Sequence, residues 1–479
     1  MNGPQYLTAG VLIPVIGAPL TALCGLVSKK ARNALSLALI LSALICSAAI
    51  LPSVISGKVI TASIGFPFGF DFALKADCLA VFMALTSLLI GSVIAYYSLG
   101  YMGHYEHLTE YYAMMTLFLG SMTGLVYSSN LIFLYIFWEM TAIASWRLIG
   151  FYRDSAYVLK ADKAFLVTVG GSLLMFIGFM MLYSETGSFD ITAIRTAMAG
   201  KEVQPLVAAL ILAGIFTKSA TLPFHTWLPD AGVAPSPVTA LLHAAVLVKI
   251  GVYVYARLFI MMMPVSASMQ TAVLCVAASS ALVSAGAALV ETDIKRLIAY
   301  STVSQIAFIF LGLASGSEIG VTGALLYILM HGLAKGGLFL SAGIIEQRAG
   351  TKDIRKMGGL IRTMPLTAVS FLACSFSVMG IPPFGGFFAK YFVFSGAVDG
   401  GHVMISAAFL LGAILTIMYL ARLFNMIFMG EGAVSKREGS FTMVSSVVTL
   451  AVLSLAGGIL ISYPFKFAVD AVKQMKGIS

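Results

Sequence analysis

Charged residues are scarce in this sequence: Asp, Glu, Lys and Arg make up 10% of its 479 residues, whereas soluble domains carry about a quarter. Apolar residues make up 59%, and the mean hydropathy is +0.97. This composition excludes an ordinary soluble protein. The net charge of +9 therefore does not indicate nucleic-acid binding, because Lys and Arg in such a chain mostly mark the loops that stay in the cytoplasm.

Clusters of metal-binding or catalytic residues are also missing. The five cysteines stand singly in apolar segments, with no CxxC motif and no Cys/His cluster, so haem attachment, iron–sulfur clusters and structural zinc are unsupported. We interpret the cysteines as small buried thiols. There is no Gly-rich phosphate loop and no distinctive nucleophile–base pair. We therefore expect no cofactor, no metal site and no catalytic centre in this chain.

Long apolar runs recur along the whole chain, each close to the roughly 20 residues that span a bilayer. They predict an all-α polytopic membrane protein with about fourteen transmembrane helices. The N-terminus lacks the basic region of a cleavable signal, so we expect the first span to be retained. The predicted spans lie near 7–27, 34–55, 77–98, 110–127, 130–150, 162–183, 204–224, 237–260, 268–290, 296–314, 319–344, 364–396, 403–428 and 441–462.

Basic residues in the loops predict the orientation. Loops after odd-numbered spans hold twice as many Lys and Arg residues as loops after even-numbered spans and the C-terminal tail. The positive-inside rule then places the loops after odd-numbered spans in the cytoplasm. We expect both termini on the non-cytoplasmic side of a cell membrane.

The stretch 216–257 holds two lysines within apolar runs, Lys218 and Lys249. Five residues after Lys218, Pro223 must break the helix, because proline has no N–H and clashes with the preceding turn. A charge at bilayer depth costs about 2.5–3.5 kcal/mol on insertion scales, so each lysine needs a partner or water and is a functional-site hypothesis. The structural alternative is that Lys218 snorkels to the membrane surface or is pinned by carbonyls freed at the break.

A second break resembles the first. Pro382 and Pro383 interrupt span twelve 160 residues after Pro223, with a lysine, Lys390, close by. The interval holds five spans, and an odd number turns the second copy upside down, as in the inverted repeats of many transporters. We predict two inverted five-helix repeats with broken helices seven and twelve.

Other ionisable residues lie within the spans. Glu139 is the one carboxylate at depth in the first eight spans, and either a proton-transfer role or a structural pairing with a base such as Arg147 would explain it. His331 and Lys335 are four residues apart, on one helix face, and suggest a relay step. His243 lies six residues before Lys249, on a different face and about 9 Å away along the axis.

Several sequence blocks resemble one known family. They are KSATLPFHTWLPDA, PSPVTALLHAAVLVKIGVYVYAR, the Trp-Glu pair of span five, IKRLIAYSTVSQIAF, HGLAKGGLF and PPFGGFFAKYFVF. In this order they resemble the antiporter-like membrane subunits of respiratory complex I (NADH:quinone oxidoreductase), Mrp-type Na⁺/H⁺ antiporters and membrane-bound hydrogenases, over about residues 75–430. The chain ends soon after its last span, so the long lateral helix of the largest complex I subunit is not expected in it.

The resemblance implies a role for each buried group. Glu139 and Lys218 would form the ion pair of a first half-channel, and Lys249 with His243 would lead to the centre. His331 and Lys335 would form a central relay, and Lys390 would face the exit. Arg147 departs from the family pattern and puts the pairing of Glu139 in question.

The predicted function is proton translocation by one subunit of a multisubunit membrane complex, driven by redox chemistry in partner subunits. The alternatives are a subunit of an Mrp-type Na⁺/H⁺ antiporter without a redox partner, a non-conducting scaffold and an independent solute carrier. The expected partners are neighbouring antiporter-like subunits, a peripheral redox module, H⁺ or Na⁺, and lipid. The predicted units are three N-terminal helices (1–105), the two repeats (106–262 and 263–430) and a last helix with a short tail (431–479).

Overall fold

The computed structural model describes residues 2–65, 71–431 and 437–477. Lys436, which enters the loop-charge count, lies outside these residues. Within them the chain is almost entirely helical, which confirms the predicted all-α membrane fold. The helices are α1 (Gly3–Val27), α2 (Lys29–Ile55), α3 (Cys78–Tyr101), α4 (Leu108–Tyr127), α5 (Leu131–Ile149), α6 (Ser155–Thr186), α7 (Ile191–Ala197), α8 (Pro205–Lys218), α9 (Trp227–Asp230), α10 (Ser236–Ala240), α11 (Leu247–Tyr255), α12 (Ala267–Val290), α13 (Ile294–Leu313), α14 (Glu318–Ala349), α15 (Pro365–Met379), α16 (Gly385–Asp399), α17 (Val403–Phe428), α18 (Phe441–Ile459) and α19 (Ser462–Lys476).

Eleven apolar segments of the described residues are long enough to cross a membrane, and α8 and α15 are shorter apolar helices. Both predicted breaks are present. Helix α8 ends at Lys218, and turns lead from there to the short α9. Helix α15 ends at Met379, Gly380 adopts a left-handed conformation with φ of 84°, and α16 begins at Gly385. Proline at each break removes a backbone donor, which explains why neither helix continues.

Span eight departs from the prediction of one regular helix over 237–260. Between α10 and α11 lies a π-helical segment, Leu241–Ala245, and a second one, Ala256–Met262, follows α11. Val246, at the junction, has φ of −129° and ψ of −74° and donates its N–H to the carbonyl of Leu241. Such π segments frequently occur at functional sites. They change the face on which later side chains lie.

A two-stranded hairpin joins α2 to α3 and was not predicted. Strands β1 (Ile60–Ile64) and β2 (Phe72–Ala76) are antiparallel, with Ile60 opposite Ala76. Alternate residues of β2 are buried, as a half-buried strand requires.

The short C-terminal tail forms a helix of its own. In α19 the buried side chains are Ala468, Ala471, Val472 and Met475, at the spacing of one helix face. This face packs against α3 and α14. The last described residues are therefore anchored to the bundle.

The cysteines differ in exposure. Cys46, Cys78 and Cys374 are buried, which agrees with the interpretation as buried thiols. Cys24 is partly exposed and Cys275 is exposed on α12, where the prediction was wrong. The sequence does not distinguish a residue that faces lipid from one that faces the core, because both surroundings are apolar and both positions lie within an apolar run.

The core of the bundle lies around α14. Helices α3, α13 and α14 and the segments of span eight are surrounded by other helices on nearly all sides. Helices α1, α2, α6 and α17 instead carry a broad exposed apolar face, as a surface in contact with lipid requires. Span eight and α14 carry four of the buried bases: His243, Lys249, His331 and Lys335.

One end of the bundle gathers much of the chain's surface charge. Asp230 of α9 forms salt bridges with Lys163 of α6 and Arg296 of α13, both within 2.8 Å. Partial burial would raise the pKa of Asp230, but hydrogen bonds from these two cations lower it below its usual value. We call this end, where α6 and α13 begin and α14 ends, the basic end.

A buried ion pair holds the opposite end. Asp77, which caps α3, accepts two hydrogen bonds from the guanidinium of Arg257 at the end of span eight. Burial would raise the pKa of Asp77, but the guanidinium lowers it. Arg257 also donates to the Tyr253 hydroxyl over 3.0 Å. The pair connects the start of α3 to the end of span eight.

Candidate functional site

The sequence-predicted bases are buried inside the bundle. Lys218, His243, Lys249 and Lys335 are fully buried, and His331 and Lys390 are nearly so. Glu139 is partly buried, with one carboxylate oxygen wholly inside. Ionisable groups at such depth are costly and usually functional.

Lys218 reaches across from the last turn of α8 to α5. Its ammonium donates to the carbonyl of Trp138 over 3.1 Å and lies 5.2 Å from the Trp138 ring. No direct salt bridge to Glu139 forms among the described residues, although the two groups interact electrostatically. The implied ion pair is therefore replaced by a carbonyl contact in this structure.

Arg147 is engaged elsewhere. Its guanidinium lies 2.5 Å from Glu110, which also pairs with Arg153 at 2.7 Å. All three side chains are partly exposed at the end of α5. Arg147 therefore does not act as the partner of Glu139, which answers the question that its departure from the family pattern raised.

Lys249 lies against the backbone of α14, at Gly332. A Cβ added to Gly332 would stand 2.3 Å from the Lys249 ammonium and 3.0 Å from the carbonyl of Ala244. The missing side chain thus leaves the space that the ammonium occupies, next to His331. Neither the Lys249 ammonium nor either nitrogen of His331 has a hydrogen-bond partner among the described residues. Buried polar atoms without partners are rare, and a group of them calls for a functional explanation.

His243 belongs to the first π segment of span eight. Its ring centroid lies 4.4 Å from that of Phe339 on α14, and both of its nitrogens lack hydrogen-bond partners among the described residues. It interacts electrostatically with Lys335 and His331. The π segment thus brings His243 and Lys249 to the same helix, α14, although their spacing on a regular helix predicted different faces.

Lys335 begins a hydrogen-bonded network. Its ammonium donates to the carbonyl of Ile298 over 3.1 Å and to the hydroxyl of Ser301 over 2.6 Å. The Ser301 hydroxyl lies 2.7 Å from that of Tyr419 on α17. Lys335 therefore faces α13, while His331, one turn earlier on α14, faces Lys249.

The network continues towards Lys390. The amide of Gln305 lies 3.5 Å from the Tyr419 hydroxyl, and its oxygen accepts from the Tyr327 hydroxyl over 2.5 Å. The ammonium of Lys390 lies 5.6 Å from the Tyr327 ring. It donates to the carbonyl of Val378 over 2.7 Å, in the last turn of α15 beside the break. Polar side chains thus link Lys335 to Lys390.

Four members of this network were not predicted: Ser301, Gln305, Tyr327 and Tyr419. A signal was available in the sequence, since Ser301 and Gln305 are four residues apart on α13 and Tyr327, His331 and Lys335 repeat at four-residue intervals on α14. Polar side chains at this spacing share a helix face. Hydroxyls that bond to their own helix are common in membrane spans, which hides the pattern.

Two family descriptions match the chain. Residues 128–416 match "NADH:quinone oxidoreductase/Mrp antiporter, TM", and residues 62–112 match "NADH-Ubiquinone oxidoreductase (complex I), chain 5 N-terminus". The first covers more than half of the sequence and all of the buried bases.

Curated relatives are similar over most of this chain. The A/B component of a probable K⁺/H⁺ antiporter from Rhizobium meliloti is 34% identical over 401 residues, which is 82% of this chain and 40% of that protein. The A1 component of a Na⁺/H⁺ antiporter from Staphylococcus saprophyticus is 35% identical over 427 residues, again 82% of this chain and 52% of the relative. The chain spans about half the length of the curated relatives it matches.

Solved structures share the fold. A chain in the structure of the Mrp complex from Dietzia superposes with a TM-score of 0.84 at 23% identity, covering 98% of this chain and 95% of that chain. A chain in the membrane-bound sulfane sulfur reductase, an archaeal respiratory membrane complex, gives a TM-score of 0.90 at 22% identity and covers 98% of both chains. At these identities the likeness concerns the fold.

Proposed function

The chain belongs to the NADH:quinone oxidoreductase/Mrp antiporter transmembrane family, and from this premise we propose that it conducts protons across a cell membrane as one subunit of a multisubunit complex. One observation carries the proposal: six bases, spread along the chain from Lys218 to Lys390, are buried inside a largely apolar bundle. A scaffold would gain nothing from groups that cost several kcal/mol each to bury. The described residues offer no set of groups suited to a larger substrate.

The geometry supports an order of transfer. Lys218, held at Trp138 beside Glu139, would pass a proton towards the centre when its electrostatic interaction with Glu139 changes. Lys249, His243 and His331 form the central group, in which unpartnered nitrogens exchange protons. Lys335 would then deliver the proton towards Lys390 along the network, in which the hydroxyls of Ser301, Tyr419 and Tyr327 exchange protons and the Gln305 amide positions them. Each amine alternates between neutral and charged, as buried lysines do readily.

The proposed orientation follows the positive-inside rule. The loops of the basic end would lie in the cytoplasm, and both termini would lie on the other side of the cytoplasmic membrane. The clustering of Lys163 and Arg296 around Asp230 at that end supports this orientation.

We propose redox chemistry in partner subunits as the source of energy. The chain shares its fold with a chain of a respiratory membrane complex, the membrane-bound sulfane sulfur reductase. A second candidate is a subunit of a cation/proton antiporter without a redox partner, which the names of the 34–35% identical relatives favour. Neighbouring antiporter-like subunits are proposed as partners in both cases.

The test of conduction uses the complex purified from its native membrane and reconstituted into vesicles. We expect Lys218→Ala and Glu139→Gln complexes that still assemble to lose most of their proton transport. Arg147→Gln, which alters only the partly exposed cluster with Glu110, serves as the control. Transport at the wild-type rate by an assembled Lys218→Ala complex would refute the mechanism.

The energy source is tested by what purifies with the chain in mild detergent. Iron–sulfur or quinone-reductase subunits, together with proton uptake that depends on electron transfer, would support the redox reading. Small hydrophobic subunits alone, with transport driven by an imposed Na⁺ or K⁺ gradient, would replace it with the antiporter reading.

A further inference from the structure

A second buried ion pair lies at the basic end and has no part in the row of bases described above. The ammonium of Lys295 is 2.8 Å from a carboxylate oxygen of Glu346, and it also donates to the carbonyl of Ala234 over 2.9 Å. The Lys295 side chain is 1% exposed and that of Glu346 is 18% exposed. Lys352, 27% exposed, lies 3.4 Å from the other oxygen. The carboxylate thus has one oxygen towards the interior and one towards the surface.

Hydroxyl groups meet the inner oxygen. The Ser236 hydroxyl donates to it over 3.4 Å, and the Tyr101 hydroxyl donates to Ser236 over 3.5 Å. Gly343 permits this approach, because a Cβ there would stand 2.6 Å from the Cβ of Ser236 and 2.7 Å from the Tyr97 hydroxyl. Helices α3, α10 and α14 therefore meet at a polar corner with no room for another side chain.

The corner continues towards the centre along span eight. Ser236 and Thr239 are three residues apart on α10, and the Thr239 hydroxyl donates to the Ser236 carbonyl over 2.9 Å. His243 follows four residues later, in the π segment. All three are fully buried. Seven residues of helix correspond to about 10 Å along its axis. Two hydroxyls thus lie between the Glu346 carboxylate and the imidazole of His243, whose nitrogens have no hydrogen-bond partner in the described part of the chain.

Stability alone does not explain the Lys295–Glu346 pair. Burying two charges is costly, and the attraction between them often no more than offsets this cost. A carboxylate at a similar depth nearby shows the purely structural arrangement. Glu291, 19% exposed, accepts from Arg296 and from the backbone N–H groups of Thr292 and Asp293, and no side-chain hydroxyl donates to its carboxylate within the described residues.

We propose that Glu346 is a proton-loading site, which takes protons from the aqueous phase at the basic end and passes them to His243. The proton binds the carboxylate, and its hydrogen bond to Lys295 weakens. The Ser236 hydroxyl accepts the proton and releases its own. The Thr239 hydroxyl, after rotating away from the Ser236 carbonyl, does the same, and His243 takes the last proton. Glu346 returns to its charged form and pairs with Lys295 again, so only O–H and N–H bonds change and no electrons move. Lys295 is a positioning residue in this step, and the inference rests on the proposed function.

The test compares three variants of the reconstituted complex: Glu346→Gln, Glu346→Asp and Glu291→Gln. Proton uptake is followed with a pH-sensitive dye inside the vesicles. We expect Glu346→Gln to lower the uptake rate at least tenfold, Glu346→Asp to retain a large part of it, and Glu291→Gln to leave it unchanged.

Two outcomes overturn the inference. The first is wild-type uptake by Glu346→Gln in preparations where Lys335→Ala is inactive, because the row of bases then works without this carboxyl. The second is an equal loss in Glu346→Gln and Glu346→Asp while the complex stays assembled, because a titratable carboxyl then makes no difference. If Lys335→Ala itself transports normally, the proposed function fails instead.

Discussion

Replacing Gly332 by alanine should displace the Lys249 ammonium from its place beside His331. The new Cβ would stand 2.3 Å from the Lys249 ammonium, whereas non-bonded atoms of this size prefer about 3.5 Å. The ammonium must therefore retreat by about 1 Å. The Cβ would also stand 3.0 Å from the carbonyl of Ala244, a backbone atom that cannot move aside on its own.

The expected effect on transport is large compared with the effect on stability. Overpacking a core usually costs about 1–3 kcal/mol, which a large bundle tolerates. Misplacing a reacting group by about 1 Å can cost roughly 100-fold in rate. We therefore expect the Gly332→Ala complex to assemble and to transport protons about 100-fold more slowly in reconstituted vesicles.

Gly336, one turn further along α14, provides the matched control. A Cβ there would meet the end of the Leu450 side chain at 3.1 Å and the Ile90 side chain at 3.5 Å, so its nearest contacts on neighbouring helices are apolar side chains. We expect Gly336→Ala to transport at close to the wild-type rate. If Gly332→Ala and Gly336→Ala transport equally well, the contact between Lys249 and α14 has no role in proton transfer.

Three further changes test other parts of the structure. Tyr327→Phe removes the donor to the buried Gln305 oxygen; we expect slower transport in an assembled complex, and a stability loss of about 1–3 kcal/mol from the unpaired acceptor. Arg257→Met leaves the buried Asp77 charge unpaired and should cost about 3–5 kcal/mol, seen as a lower melting temperature. The pKa of Asp230 is lower in the folded state than its ordinary value of 3.8. The stability that its carboxylate contributes is therefore complete above pH 3.8 and is lost as the pH falls through the folded-state pKa. The melting temperature of Asp230→Asn should thus lie below wild type at neutral pH and approach it in acid.

Each of these expectations has a contrary result. Wild-type transport by Tyr327→Phe would remove the network between Lys335 and Lys390 from the pathway. The double variant Asp77→Asn, Arg257→Met should be more stable than Arg257→Met alone, and equal stability would show that the unpaired charge is not the cause. A gap between Asp230→Asn and wild type that stays constant with pH would show that this carboxylate contributes no linked stability.

The helices and their breaks were predictable because hydropathy and proline act locally. Pro223, Pro382 and Pro383 remove backbone donors wherever the chain places them, and a lysine such as Lys249 within an apolar run is conspicuous by its cost. Burial of the six bases followed from the same reasoning. The sequence alone was enough to identify where the polar groups lie along the chain.

The partners of these groups were harder to predict. Lys218 contacts a backbone carbonyl, and a carbonyl leaves no mark in the sequence. The face of His243 depends on a π segment that no residue type specifies, so the regular-helix expectation was wrong there. Tyr419 joins Ser301 across 118 positions, a pairing that exists only once the helices have packed.

The ion pair between Asp77 and Arg257 has a consequence for biosynthesis. Its members are 180 positions apart, and a ribosome adds about 5–20 residues per second, so Asp77 emerges roughly 9–36 s before its partner. Through that interval the carboxylate has to remain in contact with water at the membrane surface. The pair closes only after span eight has been made, and helices α3 to α11 are then held together as one unit while the second half of the chain is still being synthesised.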